Sequence, residues 1–555
     1  MTSPTARPPW FNRASLIRAV LIGTVLWAWI QPQAASSREL HAKRLKIYQN
    51  HAIRADEDGL AVKLEAVARP PLLSQTEFHH QVESMLGRAE AWARAQALGV
   101  SHPISVPILI HVHGGLNTWK STFKRMDLVE SITNAPNRAD RHYPIFISWP
   151  SGPLDNYWER VWDLRVGVKD RERGRKFMTR ATAPVVMATD FAKAAVGAPQ
   201  SWGHQIVNAK DQFAYPGQVL NPGQNGKSQW LSQLFLLSAS NAVRAQSEGF
   251  SIQRGQADSQ LLESADRVVR NSLKSPVYLT LGTVAQGEPS IAAWSVMKRR
   301  TLNLYKPAQE LEWLRNAPGG ESIKDFSALG EFFKILLKRV SQVSPDELRY
   351  EITLVGHSLG TIVLNNLLTR HAEEWRETGA LREIIYMAAA CSVREAAAAI
   401  KPLLTSCQGS GTCHQHLRFS NLTLHLFADL SEAMGWGFLP AGSLLYQIDT
   451  HLENPKTALD RTLGWEDINA LSAIDEFASV KDYCHFKSFD YDPGTLPMKH
   501  ADFNDCHFWT RDFVRSKQDP VDSPDYRVQL HQAQPAGQRQ GFGLNYKKDW
   551  RRRSR

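Results

Sequence analysis

The chain has 555 residues, which at roughly 150 residues per domain is too long for one ordinary compact domain. Hydrophobic residues make up 43% and charged residues 22%, a balance that is typical of globular proteins and excludes low-complexity and collagen-like chains. The formal net charge of +10 is a mild bias at this length; it suits an anionic membrane surface and gives no reason to expect a nucleic-acid partner.

The first 36 residues have the features of a targeting segment. A basic, acid-free stretch is followed by the apolar run Ala19–Ile30 and by small residues around Ala35, which is the order of an export signal. A membrane-spanning helix needs about 20 apolar residues, and counted from residue 14 the run approaches that length. A cleaved signal peptide over 1–36 and a retained anchor over 14–30 therefore both stay open. Either way we expect an exported protein, periplasmic or otherwise extracytoplasmic, or anchored in the membrane.

An exported chain is allowed disulfide bonds. The five cysteines are Cys391, Cys407, Cys413, Cys484 and Cys506. Cys407 and Cys413 enclose a Gly/Ser-rich turn and fit a local disulfide, Cys484 and Cys506 form a second candidate pair, and Cys391 is then a buried thiol. Two histidines after Cys413 extend the first pair toward a metal cluster. Their spacing matches no standard zinc pattern, so we predict no metal and no cofactor.

Residues 37–150 predict the first part of an α/β domain. Residues 38–100 favour mostly helix. Val106–His111 is an apolar, β-rich run that ends at a glycine pair, and Tyr143–Trp149 is a second such run. Lys120–Ile132 between them has helical periodicity. Strand, helix and strand in this order build a parallel sheet.

Residues 151–345 interrupt this pattern. Helix-like stretches alternate there with Gly/Pro breaks, and no strand alternation is visible. We predict a mainly helical insertion or cap, with a separate helical domain as the alternative. The tryptophans of this segment either line such a cap or meet a membrane interface, although the core is the ordinary place for an indole.

Residues 346–518 predict the second part of the α/β domain. The predicted strands are Glu351–Val355, Glu383–Ala388, Leu422–Ala428 and Tyr483–Phe489, and the predicted helices are Thr361–Glu377 and Arg394–Leu404. The tail 519–555 is rich in Pro and Gln and ends in a run of arginines. We predict a solvated, disordered basic end for it.

The segment Gly356-His357-Ser358-Leu359-Gly360 joins a predicted strand to a predicted helix. A G-x-S-x-G match is weak by itself, but this context is the one that a nucleophile elbow requires. The turn is so tight that its serine sits in a strained backbone region, and glycines are needed where neighbouring backbone comes close. The hydroxyl of Ser358 is then raised at the start of a helix, an end that favours negative charge.

With this motif the chain resembles the α/β-hydrolase superfamily, particularly its lipase and esterase branches. The resemblance covers residues 106–150 and 346–515. It implies an α/β-hydrolase fold, with a mostly parallel sheet flanked by helices and a long helical cap before the nucleophile strand. It also implies a Ser-acid-His triad in that chain order and an oxyanion hole made of two backbone amides.

The resemblance assigns the oxyanion hole to two segments. One amide is that of Leu359, directly after the nucleophile. The loop that follows the strand Val106–His111 reads His113-Gly114-Gly115-Leu116 and is similar to the H-G-G loop of lipases, except that Leu116 stands in place of a third glycine. We assign the second amide to Gly115, with Gly114 allowing close approach. An ordinary glycine turn is the alternative.

The resemblance places the acid and the base after the last two strands. Asp429 directly follows Leu422–Ala428 and is the first choice for the acid, with Glu432 second; the alternative for Asp429 is a helix cap. His500, in the sequence His-Ala-Asp-Phe, is similar to the base loop of lipase-like families, and His507 is the alternate. We assign His357 to packing or to the pocket rather than to the base.

We therefore predict a serine hydrolase that cleaves carboxylic esters, lipids among them, through an acyl-enzyme. The alternatives are a thioesterase or acyltransferase with the same triad, and a non-catalytic binding protein with an α/β-hydrolase fold. The expected partners are a small-molecule or lipid ester and a membrane surface. The sequence leaves the acyl length and the oligomeric state open.

Overall fold

The computed structural model describes about half of the chain. The described residues are 36–67, 70–97, 103–115, 117, 119–152, 156, 161, 164–165, 168–169, 180–190, 192–193, 288–306, 326–405, 417–424, 444–453, 457–464, 476–489, 497, 500–504 and 507–515. The predicted targeting segment, the basic tail, Asp429 and Glu432 lie outside these residues.

Seven parallel strands form one sheet, which is flanked by helices. In chain order the strands of the structure are β1 (Ala52–Arg54), β2 (Ile104–Val112), β3 (Tyr143–Ser148), β4 (Leu164–Arg165), β5 (Val168–Lys169), β6 (Leu348–His357), β7 (Leu381–Met387), β8 (Arg418–Leu424) and β9 (Cys484–Phe489). The order across the sheet is β1-β3-β2-β6-β7-β8-β9, while β4 and β5 pair with each other as a separate antiparallel hairpin. Every pairing in the large sheet is parallel. The predicted α/β class is thus confirmed.

Helices follow most of the strands. The α-helices are α1 (Ser36–His51), α2 (Gln75–Gln96), α3 (Trp119–Lys124), α4 (Leu128–Thr133), α5 (Glu288–Asn303), α6 (Ala328–Gln342), α7 (Gly360–Arg370), α8 (Ala372–Thr378), α9 (Val393–Thr405), α10 (Leu444–Gln447) and α11 (Arg511–Arg515). Shorter 3₁₀ turns cover Arg125–Asp127, Arg138–Asp140, Ala458–Asp460, Ala478–Tyr483 and His500–Asn504, and Ile448–Leu452 is a π-helical turn.

The sheet and its helices share one hydrophobic core. All six residues of β3 are buried, as are the last five of β2, which is the pattern of parallel strands covered on both faces. Helices α5 and α6 come from the predicted insertion 151–345 and also contribute to this core, through Met297 and Phe332 for example. The boundary at residue 345 stays a prediction, but these two helices pack with the sheet.

All six predicted strands are present, with shifted ends. Leu422–Ala428 overlaps β8, which begins four residues earlier, because the first half of β8 contains the buried polar residues Ser420 and Asn421, which hide the apolar pattern. Residues 425–428 lie outside the described residues. Strand β1 lies inside the stretch predicted as helix. Three residues are too few to show an alternation, and their pairing with β3 is what makes them a strand.

The predicted helix Thr361–Glu377 is divided into α7 and α8. His371 stands between them with φ −117° and ψ 28°, outside the helical region. The apolar periodicity continues across this break, so the pattern shows one helix where the backbone makes two.

The predictions for the cysteines are confirmed only in part. Cys391 is a buried free thiol, as expected, whereas Cys484 is also free rather than paired with Cys506. Cys407, Cys413 and Cys506 lie outside the described residues. In the part of the chain that the structure describes, no helix is long and apolar enough to cross a membrane.

Candidate active site

Ser358 occupies the sharp turn between β6, which ends at His357, and α7, which begins at Gly360. Its φ is +52°, a left-handed conformation that side-chain-bearing residues rarely adopt. Its N–H donates to the Met387 carbonyl at 2.9 Å, and its carbonyl accepts from the Thr361 N–H at 3.0 Å and from the Thr361 hydroxyl at 2.7 Å. These bonds hold the strained backbone in place.

The glycine after the turn is needed because another strand end lies against it. A Cβ on Gly360 would lie 2.3 Å from the Val112 carbonyl oxygen, at the end of β2. No side chain fits at that distance, so the start of α7 packs directly on the backbone of β2. The sequence motif therefore corresponds to a real steric requirement at this position.

The glycine loop after β2 contacts the elbow. A Cβ on Gly114 would lie 2.6 Å from the Ser358 Cβ, and one on Gly115 would lie 3.6 Å from the Leu359 Cβ. The structure thus brings together the four residues that the sequence assigns to the nucleophile and to the oxyanion hole. Among the described residues, the Leu359 and Gly115 amides donate to no protein acceptor, so both remain available to a substrate oxygen.

The hydroxyl of Ser358 is buried, and it has no hydrogen-bond partner in the described part of the chain. A buried hydroxyl without a partner is costly and calls for an explanation. The serine–histidine hydrogen bond of a triad is not formed here. In sites without substrate this bond is often long and tightens only in the complex.

His500 begins the 3₁₀ turn His500–Asn504 and is buried beside the elbow. Its carbonyl accepts a hydrogen bond from His357 Nε2 at 3.1 Å, and the two imidazole centroids lie 4.9 Å apart. Burial lowers the pKa of His500 to about 4, so the ring is neutral at neutral pH and able to accept a proton.

The other candidates lie elsewhere or outside the described residues. The ring of His507, the alternate base, stacks on Trp509 with centroids 5.1 Å apart. Asp429 and Glu432 are not among the described residues, and β8 ends five positions before Asp429, at Leu424. Because the strands are parallel, the chain leaves β6, β8 and β9 at the same edge of the sheet.

Three further histidines surround the elbow, and all of them are held neutral. Burial, and then the positive charge of Arg125, lower the pKa of His111 and bring that of His113 to about 3. Burial, and then His500, lower the pKa of His357. His111 packs against Phe146 and Phe508, with ring centroids 5.7 and 5.1 Å away. We therefore interpret His111 as a core residue.

The contacts that shape this site were not predicted from the sequence. They are the bond from His357 to His500 and the convergence of His113, Asn117 and Ser151 on Gly114. The one available signal was the spacing of His111 and His113, two positions apart at the end of β2, which predicts a shared face.

These features define an α/β protein with a strained serine at the end of its central strand and a glycine loop beside it. No protein-family model, curated protein or solved structure matches the chain. Within the described residues, no group of three His, Cys, Asp or Glu side chains is arranged to hold a metal ion.

Proposed function

We propose that this protein is a serine hydrolase with an α/β-hydrolase fold that cleaves carboxylic esters. The observation that carries the proposal is the backbone of Ser358, which has φ +52° although it is not glycine. Such strain persists only where the surroundings enforce it, and it is concentrated at functional sites. Here it accompanies a buried hydroxyl that has no hydrogen-bond partner among the described residues.

The order of the strands supports the proposal. Strand β6, which carries Ser358, pairs with β2 on one side and with β7 on the other. The glycine loop follows β2, and the segments with Asp429 and His500 follow β8 and β9. Ligands of open parallel sheets bind outside the carboxyl ends of the strands, where all these segments begin.

The proposed mechanism gives each of these groups a role. His500 accepts the Ser358 proton as the hydroxyl oxygen attacks the ester carbonyl, while Asp429 orients the imidazole and stabilises its cation. The amides of Leu359 and Gly115 donate to the oxyanion of the tetrahedral intermediate. The alcohol leaves with the proton from His500, and water then hydrolyses the acyl-enzyme by the same steps.

We further propose that the enzyme works outside the cytoplasm, exported by the segment 1–36 or anchored through residues 14–30. The basic, apolar and small-residue order of this segment supports the proposal. A lipid ester at a membrane surface is a substrate that such a location provides, and the net charge of +10 favours an anionic surface.

A fluorophosphonate probe tests the proposed function. The full-length protein in detergent micelles is treated with the probe, and the modified peptide is mapped by mass spectrometry. We expect labelling of Ser358, its loss in Ser358→Ala, and unchanged labelling in Ser341→Ala, which removes an exposed helical serine. A folded protein that stays unlabelled contradicts the proposal and favours a binding protein.

If Ser358 is labelled, untreated protein from the same preparation is then assayed with paired oxygen esters and thioesters of equal acyl length. Preferential turnover of the oxygen ester supports an esterase. Preferential turnover of the thioester, or acyl transfer to an added alcohol, would assign the same triad to the alternative activities.

A further inference from the structure

The carbonyl oxygen of Gly114 is surrounded by three side-chain donors. His113 Nδ1 lies 2.9 Å from it, Ser151 Oγ 3.0 Å and Asn117 Nδ2 3.2 Å. A carbonyl oxygen has two lone pairs, which His113 and Asn117 alone can fill, because the single hydroxyl proton of Ser151 is shared with the Asn117 carbonyl. The Gly114 carbonyl is therefore held in one direction.

His113 donates from Nδ1 because its other ring nitrogen, Nε2, already accepts a hydrogen bond. The Trp149 N–H donates to His113 Nε2 at 3.2 Å, so Nε2 carries a lone pair and the single proton of the neutral ring is on Nδ1. Burial lowers the pKa of His113 to about 3, so the ring is neutral at neutral pH. The ring also stacks on the Trp149 indole, with an interplanar angle of 6°.

The other two donors connect the glycine loop to the segment after β3. Ser151 is fully buried, and its hydroxyl lies between the Gly114 carbonyl and the Asn117 carbonyl, 2.9 Å from the latter. The Asn117 amide donates to the Gly115 carbonyl as well, at 3.2 Å. The loop is thus bonded on both sides of the Gly114–Gly115 peptide.

The orientation of this peptide determines the orientation of its N–H. A trans peptide is planar, and its C=O and N–H point in opposite directions. Donors that fix the Gly114 carbonyl therefore also fix the Gly115 N–H on the side away from them. Two adjacent glycines would otherwise give this peptide wide freedom.

We infer that His113, Asn117 and Ser151 are positioning residues that hold the Gly115 N–H ready for the oxyanion of the substrate. The inference rests on the proposed function, since it needs a reaction in which an oxyanion forms. An oxyanion hole is effective because its donors are oriented before the charge develops. Loss of the cluster therefore weakens binding of the transition state more than binding of the substrate.

The test compares two variants that remove donors with a matched control. Asn117→Leu deletes a donor to Gly114, and Ser151→Ala deletes the hydroxyl that bridges the Gly114 and Asn117 carbonyls. Asn366→Leu deletes a comparable bond, from Asn366 Nδ2 to Thr301 Oγ1 at 3.2 Å, on α7. Full-length proteins in detergent micelles are assayed for p-nitrophenyl butyrate hydrolysis and for inhibition by butylboronic acid, which forms a tetrahedral anionic adduct with an activated serine.

We expect kcat to fall about tenfold in Asn117→Leu and in Ser151→Ala, less than for removal of an oxyanion donor itself. KM should stay within about twofold, and the affinity for the boronic acid should fall by the same factor as kcat/KM. The Asn366→Leu variant should keep all three values. A purely structural role would instead lower the number of active sites titrated by fluorophosphonate and leave kcat per site unchanged.

Failure of the proposed function and failure of the positioning role give different results. Wild-type protein that the fluorophosphonate does not label overturns the proposed function, and this inference with it. If the wild-type protein is labelled but Asn117→Leu and Ser151→Ala retain kcat per active site, this inference alone is overturned. A parallel rise of KM and of the boronic acid inhibition constant, with kcat unchanged, also overturns it, because the loop would then serve substrate binding.

Discussion

The imidazole of His357 donates a hydrogen bond from Nε2 to the backbone carbonyl of His500, across 3.1 Å. Because a carbonyl oxygen only accepts, this contact fixes the proton of the neutral His357 ring on Nε2. The residue directly before the candidate nucleophile is thus bonded to the main chain of the candidate base. The contact joins the elbow to the segment after β9, more than a hundred positions later in the chain.

Replacement of His357 tests whether this bond positions the base. We expect His357→Leu to lower kcat about five- to tenfold, the worth of one hydrogen bond of about 1 kcal/mol. His357→Gln should retain most of kcat, because its terminal amide reaches the position of Nε2 and still donates. The measurement is kcat, KM and their pH dependence for both variants. Equal losses in the leucine and glutamine variants would mean that the shape of the ring matters and the bond does not.

The two glycines of the loop should respond differently to alanine. A Cβ on Gly114 meets the Ser358 Cβ at 2.6 Å, so Gly114→Ala has to move the elbow itself. A Cβ on Gly115 meets the terminal methyl of Met297 at 2.7 Å, and this flexible thioether can turn away. We expect Gly114→Ala to lose activity by at least about a hundredfold, as displacement of reacting groups does, and Gly115→Ala to retain most of it.

The control for this pair is Gly87→Ala on α2, where an added Cβ meets nothing within 4 Å. It should leave turnover unchanged and stabilise the helix by about 0.5–1 kcal/mol. If Gly115→Ala is as inactive as Gly114→Ala, then Met297→Ala in the Gly115→Ala background shows whether the methionine is the cause. If the double variant does not regain turnover, the loss of activity comes from a displaced N–H of residue 115.

The pH dependence of turnover should reflect the burial of His500. Burial lowers its pKa to about 4, and only the neutral ring accepts the Ser358 proton. Activity should therefore be present at neutral pH and be lost as the pH falls through the pKa of His500. We expect the acidic limb of kcat/KM below pH 6.5, the ordinary histidine value. A limb at or above 6.5 in stopped-assay profiles would show that another group dominates the environment of this imidazole.

The stability of the fold should depend on Glu90 and on its protonation state, because Glu90 forms a polar cluster with Arg339 and Tyr350. Arg339 donates to its two carboxylate oxygens at 2.9 and 3.1 Å, and the Tyr350 hydroxyl donates as well, which links α2 and α6 to the nucleophile strand. Burial raises the pKa of Glu90, but the bonds from Arg339 and Tyr350 outweigh it, so the pKa is lowered. The stabilisation is therefore present above the unfolded-state pKa and lost as the pH falls through the folded-state pKa.

The variant Glu90→Gln should reduce stability at pH 7 by about 1–3 kcal/mol, with a smaller difference from wild type at pH 3. The control is Glu347→Gln, which breaks an exposed pair with Arg94 and should cost less than about 1 kcal/mol. Thermal unfolding at pH 7 and pH 3 measures the stability difference between each variant and the wild type. Equal effects of the two substitutions would show that the buried cluster contributes no more than a surface pair.

Local patterns were sufficient to predict the sheet and the elbow. Strands such as β2 and β6 are apolar runs of ordinary length, and the Gly-x-Ser-x-Gly motif is visible within five residues, although Gly360 is required by the end of β2. Strand β1 could not be predicted, because three residues carry no periodicity and become a strand only by pairing with β3. The periodicity of a segment indicates which of its faces is buried, but it does not indicate with which strand the segment pairs.

The positioning contacts escaped prediction for a related reason. Ser151 acts on Gly114, and His357 acts on His500, through hydrogen bonds between segments that are far apart in sequence. A polar residue in a loop after a strand has no local pattern that reveals its partner. The fold must first bring the carboxyl ends of the strands together before these bonds exist.

Substitution of the two candidate acids tests the remaining member of the triad. Asp429 follows β8 and Glu432 lies three positions later, while the nucleophile and base segments leave β6 and β9 at the same edge of the sheet. If Asp429 orients His500, Asp429→Asn should lower kcat about 10³- to 10⁴-fold, because the imidazole loses its tautomer and its stabilising charge. It should also move the acidic limb of kcat/KM downward, since a nearby carboxylate raises the pKa of an imidazole.

The matched variant Glu432→Gln should keep kcat within about twofold, as a substitution outside the catalytic unit does. Residues of one catalytic unit are not additive, so Ser358→Ala with Asp429→Asn should be no less active than Ser358→Ala alone. A full loss in Glu432→Gln with normal turnover in Asp429→Asn would exchange the two assignments. Normal turnover in both variants would refute both, and the acid would then have to come from a segment other than the one after β8.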